Sequence, residues 1–320
     1  MVMIPGTDLD VFPLNLGGNV FGWTADAAGS FAVLDAYAAA GGDFIDTADM
    51  YSSWAPGNVG GESESIIGAW LAERGNRAEM VIATKVGKLP GATGLAPGNV
   101  TAAVDASLRR LGVDAIDLYY AHADDEARPI EEIAATFDAL VRAGKVRALA
   151  ASNFSLERAR AWVEHARAHG LAAPVALQPR YSLVERADYE AGCAALAAEL
   201  GLAVFPYSAL ASGFLTGKYG ASTDAAGRAR GDAVSRYLTP DGLAVVAELR
   251  QIAAARGVQP TSVALAWLLA KGVTAPIASA SRADQVAPLV AATTLALQVD
   301  EVRALDEASA PFARPATVAP

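Results

Sequence analysis

The sequence contains little cysteine, because Cys193 is the only one among its 320 residues. A single thiol excludes an internal disulfide framework and is typical of proteins from a reducing compartment. Cys193 lies in an Ala/Leu-rich stretch with a helical pattern, so a small buried side chain is a better interpretation than a nucleophile.

Long apolar runs, basic clusters and a leader pattern are also missing. No uninterrupted apolar run reaches the length of a membrane span, and the first ten residues lack the regions of a signal peptide. The net charge of −10 disfavours nucleic acid and anionic membrane surfaces as partners. A local basic pocket for one phosphorylated ligand remains compatible with this charge. We therefore expect a cytoplasmic protein with neither a nucleic-acid nor a membrane partner, while its oligomeric state stays open.

Several catalytic motifs are absent as well. His165 and His169 have the i, i+4 spacing of a zinc-protease helix, but Ala166 stands where that motif requires glutamate. The stretch GFLTGKY does not have the spacing of a phosphate-binding Walker loop, and no G-x-S-x-G elbow occurs. We therefore expect no metal site.

Short strand-like runs alternate with helical patterns along the whole chain. Strands are predicted over residues 13–18, 43–47, 80–86, 115–122, 145–152, 174–178, 202–208 and 274–279. Helices are predicted over residues 29–40, 62–74, 99–111, 130–143, 155–169, 187–200, 261–271 and 282–291. Strict alternation indicates parallel strands joined by crossover helices.

The fold class is α/β, and the pattern favours a (β/α)8 TIM barrel over an open doubly wound sheet. The open dinucleotide-binding fold should carry G-x-G-x-x-G after its first strand, whereas this strand leads into GGNVFGW. We expect one barrel domain over residues 1–320, with an N-terminal hairpin within 5–12 and extra C-terminal helices near 241–256 and 299–309. A long loop over 209–240 and an extended tail over 311–320 complete the prediction.

Titratable side chains stand at the ends of three successive predicted strands. Asp46 ends the second strand, Lys85 the third and His122 the fourth, and Tyr51 follows in the loop after the second. The carboxyl ends of the strands of such a barrel meet on one face, where catalytic residues are found. Each residue alone has an ordinary structural explanation as a cap or a solvated side chain, but the whole set favours an active site.

This set suits proton transfer. A free tyrosine has a pKa of roughly 10, which is too high for efficient proton exchange near neutral pH. An ammonium group close to the phenol should lower that pKa, and a carboxylate should hold the ammonium in place. The set therefore predicts that Tyr51 is the general acid, tuned by Lys85 and Asp46, with His122 orienting a substrate carbonyl or helping to relay the proton.

At this point the chain resembles the aldo-keto reductase family, most closely the bacterial branch that is similar to potassium-channel β subunits. The stretches GGDFIDTADMYSS, VIATKVG, DLYYAH and LVRAGKVRALAASNFS carry the resemblance, which extends from about residue 6 to about residue 292. The family tetrad matches Asp46, Tyr51, Lys85 and His122. The resemblance implies reduction of a small aldehyde or ketone, with hydride from NADPH rather than NADH and a proton from Tyr51.

Two alternatives stay open at this stage. The first is a regulatory protein that holds NADPH as a redox sensor and turns over slowly. The second is a barrel aldolase or isomerase in which Lys85 forms a Schiff base. This alternative leaves the cofactor-type residues Ser152, Asn153 and Gln178 without a role.

The resemblance also implies the cofactor contacts. Ser152, Asn153 and Gln178 match the residues that bind the nicotinamide amide, and Tyr207 matches the aromatic residue that stacks on its ring. The residues that match the pyrophosphate loop are Ser208, Leu210, Ser212, Gly213 and Lys218. Those that match the adenosine-phosphate region are Ser279, Ala280, Ser281, Arg282 and Gln285.

Arg282 is the candidate for binding a 2′-phosphate, because a guanidinium can engage a phosphate through two hydrogen bonds. After the matching glutamine the family often has an acidic residue and asparagine, where this sequence has Pro288 and Leu289. This departure weakens the expected adenine contacts and the preference for NADPH over NADH.

Residues after the first strand and after Tyr51 are expected to line the substrate pocket. The candidates are Asn19, Val20, Phe21, Trp23 and Trp54. Aromatic side chains on the upper rim would form an apolar pocket beside the nicotinamide. Packing of the two tryptophans within the loops is an equally good interpretation.

Overall fold

The computed structural model describes residues 1–219 and 231–314. The parts of the predicted long loop and tail at 220–230 and 315–320 lie outside the described residues. Among the residues that are described, no helix is both long and apolar enough to cross a membrane.

The elements follow one another in the order expected from the sequence. The strands are β1 (Val2–Met3), β2 (Asp10–Val11), β3 (Asn15–Gly17), β4 (Phe44–Asp46), β5 (Val81–Val86), β6 (Lys88–Leu89), β7 (Ala92–Thr93), β8 (Ile116–Ala121), β9 (Val146–Ser152), β10 (Pro174–Gln178), β11 (Ala203–Val204) and β12 (Ile277–Ala278). The helices are α1 (Ala27–Ala39), α2 (Glu62–Arg74), α3 (Pro97–Leu111), α4 (Ile130–Arg142), α5 (Leu156–Ala168), α6 (Ala194–Leu200), α7 (Gly231–Ser235), α8 (Pro240–Arg256), α9 (Pro260–Ala270), α10 (Val286–Ala291) and α11 (Val299–Ala308).

Eight parallel strands form the central sheet, in the order β11-β10-β9-β8-β5-β4-β3-β12. Backbone hydrogen bonds join the two outer strands. The Thr274 N–H donates to the Val204 carbonyl at 2.9 Å, and the Ile277 N–H donates to the Pro206 carbonyl at 2.9 Å. These bonds close the sheet, so the predicted (β/α)8 barrel is confirmed.

The two outer strands are shorter than predicted. Strands β11 and β12 have two residues each, although the sequence predicted strands over 202–208 and 274–279. Pro206 and Pro276 stand in these segments, and proline has no N–H group to donate to a neighbouring strand. In both segments the apolar run in the sequence is therefore longer than the part that pairs with a neighbouring strand.

Alternate residues of each strand face either the barrel interior or the surrounding helices. Leu118 and Tyr120 belong to the interior cluster, while Tyr119 and Ala121 pack in the larger core beneath the helices. This two-residue alternation is the geometry of any β-strand. Both faces are buried, which explains the nearly continuous apolar strands.

The N-terminal hairpin forms, but it starts earlier than predicted. Strand β1 pairs with β2 in an antiparallel manner, so its first strand precedes the predicted segment 5–12. Pro5 and Gly6 instead form the turn, in which Gly6 has a φ of +75° and the Thr7 N–H donates to the Ile4 carbonyl at 3.2 Å. Proline followed by a residue with positive φ is typical of a type II turn.

Two features outside the eightfold repeat matter for the site. Helices α8 and α11 occur where extra C-terminal helices were predicted. A short hairpin of β6 and β7, which the sequence analysis did not predict, follows the third barrel strand. Its turn is Pro90–Gly91, and Gly91 has a φ of +82°. This hairpin lies on the catalytic side of the barrel and carries Lys88.

Candidate active site

Three of the predicted catalytic side chains are in direct contact. Lys85 Nζ lies 2.5 Å from Asp46 Oδ2 and donates a hydrogen bond to the Tyr51 hydroxyl at 3.0 Å. The same ammonium donates to the Thr47 carbonyl at 2.7 Å. Strands β4 and β5 are neighbours in the sheet, which places the ends of both strands side by side.

Lys85 is fully buried and its three donors are occupied by Asp46, Thr47 and Tyr51. An amine that attacks a carbonyl must be accessible and unprotonated. The burial and the contacts of Lys85 therefore disfavour the Schiff-base alternative. They favour a role behind Tyr51.

A chain of hydrogen bonds links the tetrad to the predicted nicotinamide residues. Gln178 Nε2 donates to Asp46 Oδ1 at 2.9 Å, and the Ser152 hydroxyl donates to the Gln178 carbonyl at 2.9 Å. The Asn153 amide donates to the Ser152 hydroxyl at 3.0 Å, and the Tyr207 hydroxyl donates to Asn153 Oδ1 at 2.8 Å. One connected network thus runs from strand β4 to the loop after β11.

His122 directly follows strand β8 and lies on the cleft wall with 8% of its surface exposed. Its ring centroid is 6.1 Å from that of Tyr51. Burial, followed by the charges of Lys85 and Lys88, holds the pKa of His122 well below its usual value. His122 is therefore a neutral imidazole, and within the described part of the chain its Nδ1 has no hydrogen-bond partner.

The direction of the Tyr51 pKa differs from the expectation. Burial and the Asp46 carboxylate raise the pKa of Tyr51 well above 10, whereas an ammonium-lowered pKa was predicted. Asp46 contacts Lys85 directly, so the pair has no net charge to offset the burial of the phenol. Tyr51 is consequently a protonated phenol and a weaker acid than the sequence predicted.

A cleft of about 1220 Å³ opens over this group. Its lining includes most of the residues that were predicted from the resemblance, among them Asp46, Tyr51, His122, Ser152, Asn153, Gln178, Tyr207, Ser208, Leu210, Ser212, Gly213, Lys218, Ser279, Ser281, Arg282 and Gln285. Pro288 and Leu289 also line it. The structure therefore brings the predicted catalytic and cofactor residues to one surface.

The loop after β11 has an unusual backbone. Ser208, Ala211 and Ser212 have φ values of +58°, +48° and +58°, and Asn153 after β9 has +55°. A positive φ is uncommon for residues other than glycine and clusters at functional sites. Asn153, Ser208 and Ser212 line the cleft, while Ala211 is buried.

The far end of the cleft carries internal polar contacts. The Ser281 N–H donates to Gln285 Oε1 at 2.9 Å, and Arg282 forms two hydrogen bonds with Asp284 at 2.9 and 2.8 Å. The Ser279 hydroxyl donates to Asn19 Oδ1 at 2.6 Å. Arg282 is exposed, so its guanidinium can turn from Asp284 toward a ligand.

The predicted substrate residues divide into two groups. Asn19, Val20 and Trp23 line the cleft. Phe21 is fully buried in the core, so its predicted contact with substrate is corrected to a packing role. Trp54 is 44% exposed and packs edge-on against Trp23, with ring centroids 5.6 Å apart.

Sequence reasoning missed Lys88 and Arg180 on the cleft wall and Asp49 behind it. Asp49 is 1% exposed, and neither carboxylate oxygen has a hydrogen-bond partner among the described residues. Burial and the Glu64 carboxylate raise the pKa of Asp49 to about 7. Neither Lys88 nor Arg180 stands in a sequence pattern that predicts a position on the cleft wall.

Replacing Asp49 by asparagine should stabilise the protein in a pH-dependent manner. The pKa of Asp49 is about 7 in the folded state and 3.8 when unperturbed. Between these two pH values the unfolded chain loses its proton more readily, so wild type loses stability as pH rises. Relative to wild type, the free energy of unfolding of Asp49→Asn should be nearly unchanged at pH 4 and up to about 4 kcal/mol higher at pH 8. Urea unfolding at both pH values measures it.

Asp114→Asn is the control, since Asp114 is exposed and should give no such trend. A difference between Asp49→Asn and wild type that does not change between pH 4 and pH 8 would contradict the raised pKa.

Comparison with known proteins agrees with this geometry. A family model described as the aldo/keto reductase family matches residues 13–310. The oxidoreductase YrpG of Bacillus subtilis is 35% identical over 94% of this chain and 93% of its own length. In Schizosaccharomyces pombe, a putative voltage-gated potassium channel subunit beta is 34% identical over 76% of this chain and 72% of its own. Aldo-keto reductase yakc [NADP(+)] of the same yeast is also 34% identical, over 75% and 70%.

Proposed function

The chain belongs to the aldo-keto reductase family, and from this premise we propose that it reduces an aldehyde or ketone to the alcohol with NADPH. As a member of that family it is an NAD(P)H-dependent oxidoreductase that acts on small carbonyl substrates. The observation that carries the proposal is the hydrogen-bonded group of Tyr51, Lys85 and Asp46 on the wall of a large cleft.

The residues present fit a nicotinamide dinucleotide. The cleft volume of about 1220 Å³ exceeds the roughly 300–1,000 Å³ of a typical small-ligand pocket. A dinucleotide together with a small substrate needs such a volume. Its wall also offers the Asn153 and Gln178 amides, the Tyr207 ring and the cations Lys218 and Arg282.

We assign the cofactor contacts as the resemblance implies. The nicotinamide would lie against Tyr207, with its amide held by Ser152, Asn153 and Gln178. The residues that would hold the phosphates and the adenosine are Ser208, Leu210, Ser212, Gly213, Lys218, Ser279, Ser281, Arg282 and Gln285. When bound, NADPH supplies the hydride that reduces the carbonyl carbon.

The chain's own residues provide the proton and orient the substrate. Tyr51 lies on the cleft wall and carries the proton that the carbonyl oxygen would receive. Because its pKa is raised, donation depends on stabilising the phenolate that it leaves. As the phenolate forms, the hydrogen bond from Lys85 at 3.0 Å stabilises it. Burial lowers the pKa of Lys85, whereas Asp46 opposes that shift and holds the ammonium in place. The neutral His122 ring can donate a hydrogen bond to the same carbonyl oxygen.

Loss of NADPH absorbance with a panel of aliphatic and aromatic aldehydes and ketones tests the proposal. Oxidation of NADPH with matching formation of alcohol is expected for part of the panel. Tight NADPH binding without any turnover across the panel would overturn it.

A regulatory NADPH-binding protein is the second candidate. The similarity to a protein named as a potassium channel subunit favours it. The connected tetrad favours turnover instead. A stable protein partner that co-purifies with a chain unable to turn over NADPH would establish the second candidate.

Removal of the Arg282 side chain should separate NADPH from NADH. Arg282→Ala is expected to weaken NADPH binding about tenfold or more, the scale of a charge-assisted hydrogen bond, and to leave NADH binding unchanged. Fluorescence titration with both cofactors measures the two affinities.

Asp284→Asn is the matched control, because it removes the present partner of Arg282 and keeps the guanidinium. This control should bind NADPH at least as tightly as wild type. Equal losses for both cofactors in Arg282→Ala would contradict a contact with the 2′-phosphate.

A further inference from the structure

Two basic side chains on the cleft wall have no part in the mechanism described above. Lys88 lies on the unpredicted hairpin after strand β5, and Arg180 follows strand β10. Both side chains line the same cleft as Tyr51 and His122. They come from different loops than the phosphate residues proposed above, which follow strands β11 and β12.

Nearby carboxylates offset little of the charge of Lys88 and Arg180. Within residues 1–219 and 231–314, no carboxylate lies within ion-pair distance of Lys88. The ion pair of Arg180 with Glu185 is long, at 3.8 Å, and Glu185 also binds Arg236 at 3.0 Å. In a chain of net charge −10, a cleft wall with two such cations is a marked local exception.

The two cations face the same cleft, and their charges act on each other. Burial and the charge of Arg180 lower the pKa of Lys88. Like charges at short distance repel, and an anion between them would relieve the repulsion. Within the described residues Glu185 pairs with Arg180 but not with Lys88, and no carboxylate pairs with both cations.

Their position is at the reactive end of the cleft. Lys88 lies just beyond strand β5, which carries Lys85, and its charge is among those that lower the pKa of His122. The Arg180 guanidinium lies 5.6 Å from the centre of the Tyr207 ring, and Tyr207 binds Asn153. The substrate carbonyl must meet Tyr51 in this region. The nicotinamide amide, which we place in the same region, is neutral.

We propose that Lys88 and Arg180 bind an anionic group of the substrate, so that the enzyme acts on carbonyl compounds that carry a carboxylate or a phosphate. The inference rests on the proposed reductase function and names its substrate class. The guanidinium can engage either anion through two hydrogen bonds, and the ammonium adds a second charge. The anionic group is unchanged in the reaction, in which hydride and proton go only to the carbonyl.

Matched substrate pairs test the inference with the intact protein. The first pair is 4-oxobutanoate and butanal, and the second is glyceraldehyde 3-phosphate and glyceraldehyde. In at least one pair, the anionic member should have a kcat/KM at least about tenfold higher, as expected for a charge-assisted contact. The pair that shows the larger preference identifies the anion. Rising salt should reduce the preference, because it screens exposed charges.

Lys88→Gln and Arg180→Gln then locate the contact. Each is expected to lower kcat/KM for the preferred anionic substrate about tenfold, mainly through KM, and to change the neutral substrate less than about twofold. NADPH affinity should be the same as in wild type. Arg109→Gln removes the same charge from an exposed position outside the cleft and should change neither substrate.

Three results would overturn the inference. Equal kcat/KM for both members of both pairs would leave the reductase function intact and remove the anionic substrate class. Weaker NADPH binding in Lys88→Gln or Arg180→Gln, with equal losses for neutral and anionic substrates, would assign these cations to the cofactor phosphates. Absence of turnover with every carbonyl would overturn the proposed function and this inference together.

Discussion

Replacement of Tyr51 by phenylalanine is expected to lower kcat for carbonyl reduction at least about a hundredfold, the scale of losing a general acid. The substitution removes only the hydroxyl that receives the Lys85 hydrogen bond at 3.0 Å. NADPH binding should be retained, because Tyr51 is not among the residues assigned to the cofactor. Steady-state kinetics and a fluorescence titration measure the two properties separately.

Tyr120→Phe is the matched control for this substitution. Tyr120 is fully buried, and Lys85 Nζ lies 5.6 Å from the centre of its ring. It does not line the cleft. The Tyr120→Phe variant, which lacks this hydroxyl, should turn over at a rate close to that of wild type. Equal turnover in Tyr51→Phe and wild type would show that another group donates the proton.

Replacement of Lys85 by methionine should affect stability as well as turnover. The Asp46 carboxylate is 1% exposed and would lose its only ion-pair partner in the described structure. Breaking a buried pair in this way typically costs about 3–5 kcal/mol. Turnover should also fall at least about a hundredfold, because the phenolate of Tyr51 would form without a nearby positive charge. Urea unfolding and steady-state kinetics measure both effects.

The double variant Lys85→Met with Asp46→Asn separates the two effects. It removes both charges and leaves no unpaired buried ion, so most of the lost stability should return. Turnover should stay low, because the positive charge beside Tyr51 is still absent. A Lys85→Met protein as stable and active as wild type would contradict a structural and catalytic role for this ion pair.

The catalytic group could be predicted because of a general property of parallel barrels. Asp46, Lys85 and His122 lie at or directly beyond the carboxyl ends of three strands, and these ends lie on one face of a parallel barrel. Their positions in the sequence therefore predicted their proximity, and the structure places Asp46 and Lys85 2.5 Å apart. The cofactor residues were found by resemblance and line the same cleft.

Electrostatic details were not predictable from spacing. The sequence shows that Lys85 is near Tyr51, but it does not show that Asp46 neutralises Lys85 while burial raises the pKa of Tyr51. The raised pKa of Asp49 likewise depends on burial beside Glu64. Such shifts follow from the three-dimensional surroundings of a group.

Short irregular elements were the other source of error. The two-residue strand β6 is too short to produce a periodic pattern, so the position of Lys88 on the cleft was missed. Phe21 was expected near the substrate from its place after strand β3, yet its side chain turns into the core. Loop residues next to a site can face either way, and the sequence pattern does not distinguish the two.

Isotope transfer from cofactor to product tests the proposed reaction most directly. Wild-type protein would be incubated with NADPH that carries two deuterium atoms at C4 of the nicotinamide, together with the carbonyl compound that it reduces fastest. The proposed reaction predicts an alcohol with one deuterium on its carbinol carbon and one equivalent of NADP⁺. An alcohol without deuterium, or bound NADPH with no alcohol formed from any carbonyl tested, would contradict direct hydride transfer in this cleft.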